Sequence, residues 1–244
     1  MQSEDLNNYI DANYREHTLS NPSPNKVLLI GELLGIEENG FYRGTAYNLV
    51  LMRTTRSQNK AHYVWILLPQ TANYLHMIKE QPFVYIEGIL TVSPTFNNKA
   101  ISHTFITPTK MIPLEGTLDL EDVEDFALNY TRSNRVLLEG RVIGTPWKET
   151  IIPLNKSVTR FPMLINVNNT TRKIYCTIWD DVNPLESIEK GMKLSVLGSY
   201  TMLKKERNLE ITDGYVSSSL KNKLDSYVVL IQQLIELPDE NSSN

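Results

Sequence analysis

Apolar positions along the chain fall mainly in short runs that alternate or stay continuous for four to seven residues, each bounded by turn residues. This is the pattern of β-strands. Val27-Leu28-Leu29-Ile30 closes on Gly31 and Val136-Leu137-Leu138 closes just before Gly140. Further runs cover Tyr47 to Arg53, Tyr63 to Leu68, Val84 to Leu90 and Ser102 to Ile106. Later in the chain come Phe161 to Val167, Ile174 to Trp179, Leu194 to Tyr200 and Leu209 to Tyr215. More helical stretches lie at 71–79 and 184–190. Leu220, Leu224, Val228, Ile231, Leu234 and Ile235 recur at spacings of three and four, which predicts an amphipathic helix over 220–237.

The runs come in two similar sets. Asn25-Lys26-Val27-Leu28-Leu29-Ile30-Gly31 returns as Asn134-Arg135-Val136-Leu137-Leu138-Glu139-Gly140, 109 positions later. Phe83-Val84-Tyr85-Ile86-Glu87-Gly88 is echoed by Lys193-Leu194-Ser195-Val196-Leu197-Gly198, 110 positions later. Two echoes at almost one spacing imply a duplicated unit of roughly a hundred residues. The organisation this predicts is an arm at 1–24, a first domain at 25–114, an acidic linker at 115–133, a second domain at 134–218, and a helix and tail at 219–244. Asn21-Pro22-Ser23-Pro24 ends the arm. Within each unit the order is three strands, a helix and two strands, which is that of the OB-fold barrel. The fold class expected is therefore all-β with minor helices: two tandem five-stranded OB barrels and a C-terminal helix.

Composition narrows the chemistry. Of 244 residues, 41% are hydrophobic, enough for two cores. No run reaches the roughly 20 apolar residues of a membrane span, and Met1-Gln2-Ser3-Glu4-Asp5 does not open a signal peptide. The single cysteine, Cys176, permits neither an intrachain disulfide nor a cysteine-built zinc site, and the four histidines lack ligand spacing. A cytoplasmic protein without metal or cofactor is expected. The net charge of −4 conceals an uneven distribution. Residues 25–114 hold eight Lys and Arg against five Asp and Glu, and residues 134–218 hold twelve against nine. The acid lies in the connecting segments, so each unit is mildly basic.

Asn25–Gly31 is similar to the opening strand of bacterial single-stranded DNA-binding proteins, and Tyr85-Ile86-Glu87-Gly88 after a helix resembles that family's fourth strand. Lys190-Gly191 before Leu194 and Gly198 matches the same region in the second copy. Primosomal replication protein N is a related family. The two-barrel form resembles that of the Deinococcus–Thermus group, in which one subunit carries two OB domains. The resemblance covers about 175 residues, both repeats. The family's acidic tail ending in Asp-Ile-Pro-Phe, which recruits partner enzymes, has no match in Leu237-Pro238-Asp239-Glu240-Asn241-Ser242-Ser243-Asn244, so recruitment by that route is not expected. A specialised form from a plasmid, phage or conjugative element fits these departures.

The resemblance implies sequence-independent binding of single-stranded DNA, with RNA also open, by bases stacked on aromatic faces within a basic groove. It places stacking aromatics on the third strand of each barrel. Strand alternation sets Tyr63, Trp65 and Leu67 opposite Val64, Ile66 and Leu68, and Tyr175, Thr177 and Trp179 opposite Ile174, Cys176 and Ile178. Tyr63, Trp65, Tyr175 and Trp179 are thus the leading candidates; the alternative is that each packs under a loop or against another subunit. Arg53, Arg56 and Lys60 flank the first set, and Arg172 and Lys173 the second. The hairpin between strands four and five holds Phe96 and Lys99 in one copy, and Lys204, Lys205 and Arg207 after Tyr200 in the other. Trp147-Lys148 and Tyr42-Arg43 lie in the first inter-strand loops, and Cys176 reads as core.

Two other classes compete. Asp180-Asp181 at a strand end suggests a metal-dependent nuclease, but a turn explains the pair as well. A protein-interaction scaffold would use the same aromatics as interface anchors. The amphipathic helix needs burial, and the family's usual four OB domains would come from a homodimer. No catalytic residues and no membrane contact are expected.

Overall fold

The computed structural model describes residues 25–42, 45–55, 61–69, 74–93, 103–114, 134–167, 170–202, 211–213, 215–216 and 227–238. The first copy contains β1 (Asn25–Tyr42), β2 (Thr45–Thr55), β3 (Ala61–Pro69), helix α1 (Tyr74–Glu80), β4 (Phe83–Ser93) and β5 (His103–Pro113). The second contains β6 (Asn134–Val142), β7 (Trp147–Ile151), β8 (Lys156–Val167), β9 (Thr170–Trp179) and β10 (Lys193–Met202). The short β11 (Ile211–Thr212) and β12 (Tyr215–Val216) follow, then β13 (Tyr227–Leu237).

In the first copy β1 pairs with β2 and β4, β2 with β3, and β4 with β5, all antiparallel. A parallel contact at Ile66 and Ile106 joins β3 to β5 and closes the ring. In the second copy β6 pairs with β8 and β10, β8 with β9, and β10 with β13. The parallel pairing of Val229–Ile231 with Cys176–Ile178 closes that ring. Each ring is a five-stranded barrel with the OB strand order, β6 and β7 together standing where β1 stands in the first. The interiors are apolar: Val27, Leu29, Ile66 and Ile86 in one, Val136, Phe161, Met163 and Ile231 in the other, all at most 1% exposed.

The echoed strands are the ones that join the barrels. β1 runs antiparallel to β6 from Asn25 opposite Leu138 to Leu29 opposite Asn134, with Val27 facing Val136 at the centre. Val27 and Val136 are equivalent positions of the two echoes, so a local two-fold axis passes between them, as in an isologous dimer made within one chain. Their closing glycines have a steric cause. A Cβ on Gly31 would run into the carbonyl of Arg53 on β2, and one on Gly140 into that of Leu164 on β8. The second pair of echoes ends at Gly88 and Gly198, each at a register shift against the next strand.

Three expectations require correction. Residues 227–237 are a strand, not a helix, and β13 is the last strand of the second barrel. The apolar run Tyr227 to Ile231 is rich in strand formers, and a bulge leaves Gln232 without a partner between Ile231 and Gln233. The buried positions therefore step from Val229 and Ile231 to Leu234, and that step of three imitates helical spacing. Secondly, Leu209 to Tyr215 is not the fifth strand of this barrel: β11 and β12 pair with each other, and Tyr215 bridges to Ile36 of β1 in the first barrel. Thirdly, the helix expected at 184–190 is absent. After a 3-10 turn at Asp180–Val182 the chain runs irregularly, with the Asn183 side chain accepting a hydrogen bond from the Leu185 N–H at 3.2 Å, a local turn that competes with a helix. Among the described residues no helix is long and apolar enough to cross a membrane.

Candidate nucleic-acid interface

The outer face of β7, β8 and β9 gathers aromatic and basic side chains on one surface. β8 sends Phe161, Met163 and Ile165 inward, and β9 sends Ile174, Cys176 and Ile178 inward, which leaves the intervening residues outside. Register then sets the outer rows. Trp147 lies opposite Arg160, which lies opposite Thr177; Pro162 lies opposite Tyr175; Val158 lies between Glu149 and Trp179. Trp147 and Tyr175 are 42% and 43% exposed. Their rings meet edge to face, with centroids 6.2 Å apart and planes at 75°.

Cations border the rings. The Lys173 ammonium lies 5.2 Å from the centre of the Tyr175 ring, and that of Lys156 lies 6.0 Å from the centre of the Trp179 ring. Each of three further contacts ties a cation to a carboxylate. Lys156 reaches Asp181 at 2.7 Å, Lys148 reaches Asp180 at 3.6 Å, and Arg160 reaches Glu149 at 3.0 Å. Asp180 also accepts a hydrogen bond from the Thr159 hydroxyl at 2.6 Å. All three pairs are at least partly in water, where such contacts contribute little and exchange readily.

Tyr175, Trp179, Trp147 and Lys173, all singled out from sequence, therefore come together, while Lys148 lies on the other side of β7 and reaches Asp180 at the border of the face. Lys156 and Arg160 complete the face and were missed, because β8 begins at Lys156 rather than at Phe161. The β-branched pair Val158-Thr159 directly before Phe161 was the available signal that the strand starts earlier. Arg172 falls on the inward side of β9 near the barrel end, across from Ile165, and hydrogen-bonds the Thr171 carbonyl at 3.1 Å.

The equivalent face of the first barrel is different. Trp65 has no exposed surface, and neither do Leu51 and, within 1%, Leu49 and Leu67 on the same side. The expectation that Trp65 stacks on bases is corrected: its ring is in the core, with apolar neighbours on both faces of β3. Tyr63 is half-buried and packs against that core. Arg53 is held by Glu32, the residue opposite it on β1, and both side chains are largely covered. Tyr200 is also corrected, from groove to interior, since it is 1% exposed. Burial pushes its hydroxyl pKa well up, and the buried Cys176 thiol is pushed up for the same reason. Arg56, Lys60, Phe96, Lys99, Lys204, Lys205 and Arg207 lie outside the described residues, as does Arg43.

No family pattern matches the chain, and no curated protein matches it in sequence. Solved structures do match. The wild-type single-stranded DNA binding protein from Thermus aquaticus superposes with a TM-score of 0.56 at 17% identity, over 91% of this chain and 97% of that one. A deletion mutant of the same protein gives a TM-score of 0.58 at 17% identity, over 91% and 98%. The fold is thus the two-barrel OB fold of bacterial single-stranded DNA binding proteins, along nearly the whole length of both chains.

Proposed function

We propose that this protein binds single-stranded DNA, with little preference for sequence, across the outer face of β7, β8 and β9. The observation that carries the reading is the open pair Trp147 and Tyr175, continued by Trp179 and edged by Lys156 and Lys173 on one surface. Bases offer flat faces to such rings whatever their identity, and each stack contributes about 1–3 kcal/mol. The cations stand where a backbone following the rings would pass, and a phosphate can take the place of the carboxylate that now holds each of Lys148, Lys156 and Arg160. The similarity to a single-stranded DNA binding protein of the same two-barrel form supports this reading.

The proposal is of a binding protein, not an enzyme. Asp180 and Asp181 are engaged by Lys148, Lys156 and Thr159, which accounts for the acidic pair without a nuclease site. A homodimer, which would bring the barrels to four, belongs to the same proposal. A helix at 227–237 is not its joining element, because those residues are a barrel strand. A dT strand titrated against tryptophan emission tests the function. Salt-sensitive quenching supports it, degradation of the strand points to a nuclease, and no response leaves the scaffold.

A further inference from the structure

The β7–β8 hairpin ends in Ile151-Ile152-Pro153-Leu154, and its tip is bare. Ile152 is 86% exposed and Leu154 59%. A soluble protein rarely presents two neighbouring large aliphatic side chains at the end of a projecting loop without a use for them. The tip is also stiff. It is a 3-10 turn from Ile152 to Leu154 with a proline in its first positions, where the ring fixes φ. It is locked by the left-handed Asn155, whose N–H bonds the Ile152 carbonyl at 3.2 Å. Five register pairs, from Trp147 with Arg160 to Ile151 with Lys156, hold the hairpin behind it.

The tip continues the proposed binding face. Trp147, Glu149 and Ile151 share one side of β7, so the aromatic row leads to the tip over about 13 Å at some 3.3 Å per residue. Lys156, opposite Ile151, is the cation beside Trp179. A strand lying on the rings and running outward would reach the tip past Glu149, which Arg160 holds, and past Lys156, which a phosphate could draw from Asp181. An aliphatic end has nothing to offer phosphates or a continuous single strand whose bases are already stacked. It fits the flat apolar face of a base pair, and apolar wedges of Ile and Leu do part base steps in other DNA-binding proteins.

We infer that Ile152 and Leu154 form a wedge that abuts the last base pair where single-stranded DNA meets duplex, so that the protein recognises and frays a single-strand–duplex junction. This rests on the reading of the β7–β9 face as a single-strand site and adds a second ligand feature at its edge.

The test compares two probes, a dT strand and the same dT strand extended into a short duplex, using the full chain and the variant Ile152→Ser/Leu154→Ser. Both side chains are on the surface, so the variant keeps the barrels, which circular dichroism verifies. The wild-type protein is expected to bind the tailed duplex about five- to tenfold more tightly than dT alone, the contribution of roughly one stacked base. It is also expected to open the terminal pairs, read by a fluorophore and quencher at the junction. The variant should bind dT as the wild type does and lose both the preference and the opening. Equal binding of both probes by the wild type, or an unchanged preference in the variant, overturns the wedge. An equal loss on both probes would make the tip an ordinary single-strand contact and also overturns it. Self-association lost in the variant, seen by sedimentation, would assign the tip to a second copy of the chain instead. Failure of the wild type to bind dT at all is the distinct failure of the underlying reading, and the wedge falls with it.

Discussion

The side chain of Asn134 grips the backbone of Tyr200 at two points, donating to its carbonyl at 2.8 Å and accepting from its N–H at 3.0 Å. Asn25 does the same to Leu90 in the first barrel, at 2.9 and 3.0 Å. Leu90 and Tyr200 are equivalent positions, as are the two asparagines. Each amide satisfies a backbone donor and acceptor that the local strand pairing leaves over, at the edge of the β1–β6 seam. This explains why both echoes open with Asn: a shorter Ser would not span both atoms, and a carboxylate could not donate.

Asn134→Ala should therefore destabilise the protein by about 2–3 kcal/mol, since it strands one N–H and one carbonyl in a buried place. Asn25→Ala should cost less, because its site is only part-buried. Urea denaturation followed by circular dichroism measures both, and equal, negligible losses would show that water replaces the amide.

The aromatic face makes the next prediction. Trp147→Ala and Tyr175→Ala should each weaken dT binding by about 1–3 kcal/mol with little change in stability. Trp65→Ala should do the reverse, lowering stability by about 3–5 kcal/mol through the cavity it opens. Parallel titrations and melts separate the two behaviours. A Trp65 variant that folds normally and binds poorly would return that ring to the interface.

How far these features were legible in the sequence depends on what surrounds each strand. The duplication and the barrels could be read because strand runs opened by Asn and closed by Gly recur at nearly one spacing, whereas the β1–β6 seam could not, since an echo does not say that its two copies pair. Trp65 could not be placed, since alternation separates two faces but does not say which of them is covered. In the first barrel both are. In the second barrel the outer residues include Arg160, Lys173 and Tyr175, polar enough to mark that face as open. β13 was concealed by its bulge at Gln232, and the charges at Lys156 and Arg160 by a strand longer than its apolar part.

Charge provides a third prediction. Lys156→Ala and Lys173→Ala should each reduce the slope of log affinity against log salt by up to about 0.7 on single strands. Asp180→Asn and Asp181→Asn should raise affinity instead, by about two- to fivefold each, because Lys148 and Lys156 would no longer have to leave a carboxylate. Titration at several salt concentrations reads both effects. Unchanged affinity in the aspartate variants would mean that phosphates do not reach these lysines.

Alkaline pH gives the fourth. The folded-state pKa of Tyr200 lies well above its ordinary value of 10.0, owing to burial. Below pH 10 both folded and unfolded chains keep the proton, and its contribution to stability is fully present. Above that the unfolded chain releases the proton first, so stability falls as pH rises towards the folded-state pKa. Cys176, raised from 9.0 by burial in the same barrel, acts in the same direction from a lower starting point. Tyr200→Phe should thus flatten the decline in denaturation free energy above pH 10, although it gives up some stability at neutral pH. An identical decline in both proteins would place the alkaline sensitivity elsewhere.

The last prediction concerns the strand that imitates a helix. β13 lies between β10 and β9, and closes the second barrel through the parallel pairing of Val229 to Ile231 with Cys176 to Ile178. A chain ending at residue 226 would leave β9 and β10 with open edges and expose the barrel interior at Cys176 and Val196. Such edges cannot be left in water without cost, and the apolar side chains of Val229, Ile231 and Leu234 would be missing from the core. Truncation there should unfold the second barrel, with exposure of Cys176 to thiol reagents and loss of dT binding. If residues 220–237 instead acted as a detachable joining element, truncation would change the sedimentation of the protein while Cys176 stayed unreactive. The thiol assay run beside ultracentrifugation decides between the two, because only an opened barrel brings that sulfur to solvent.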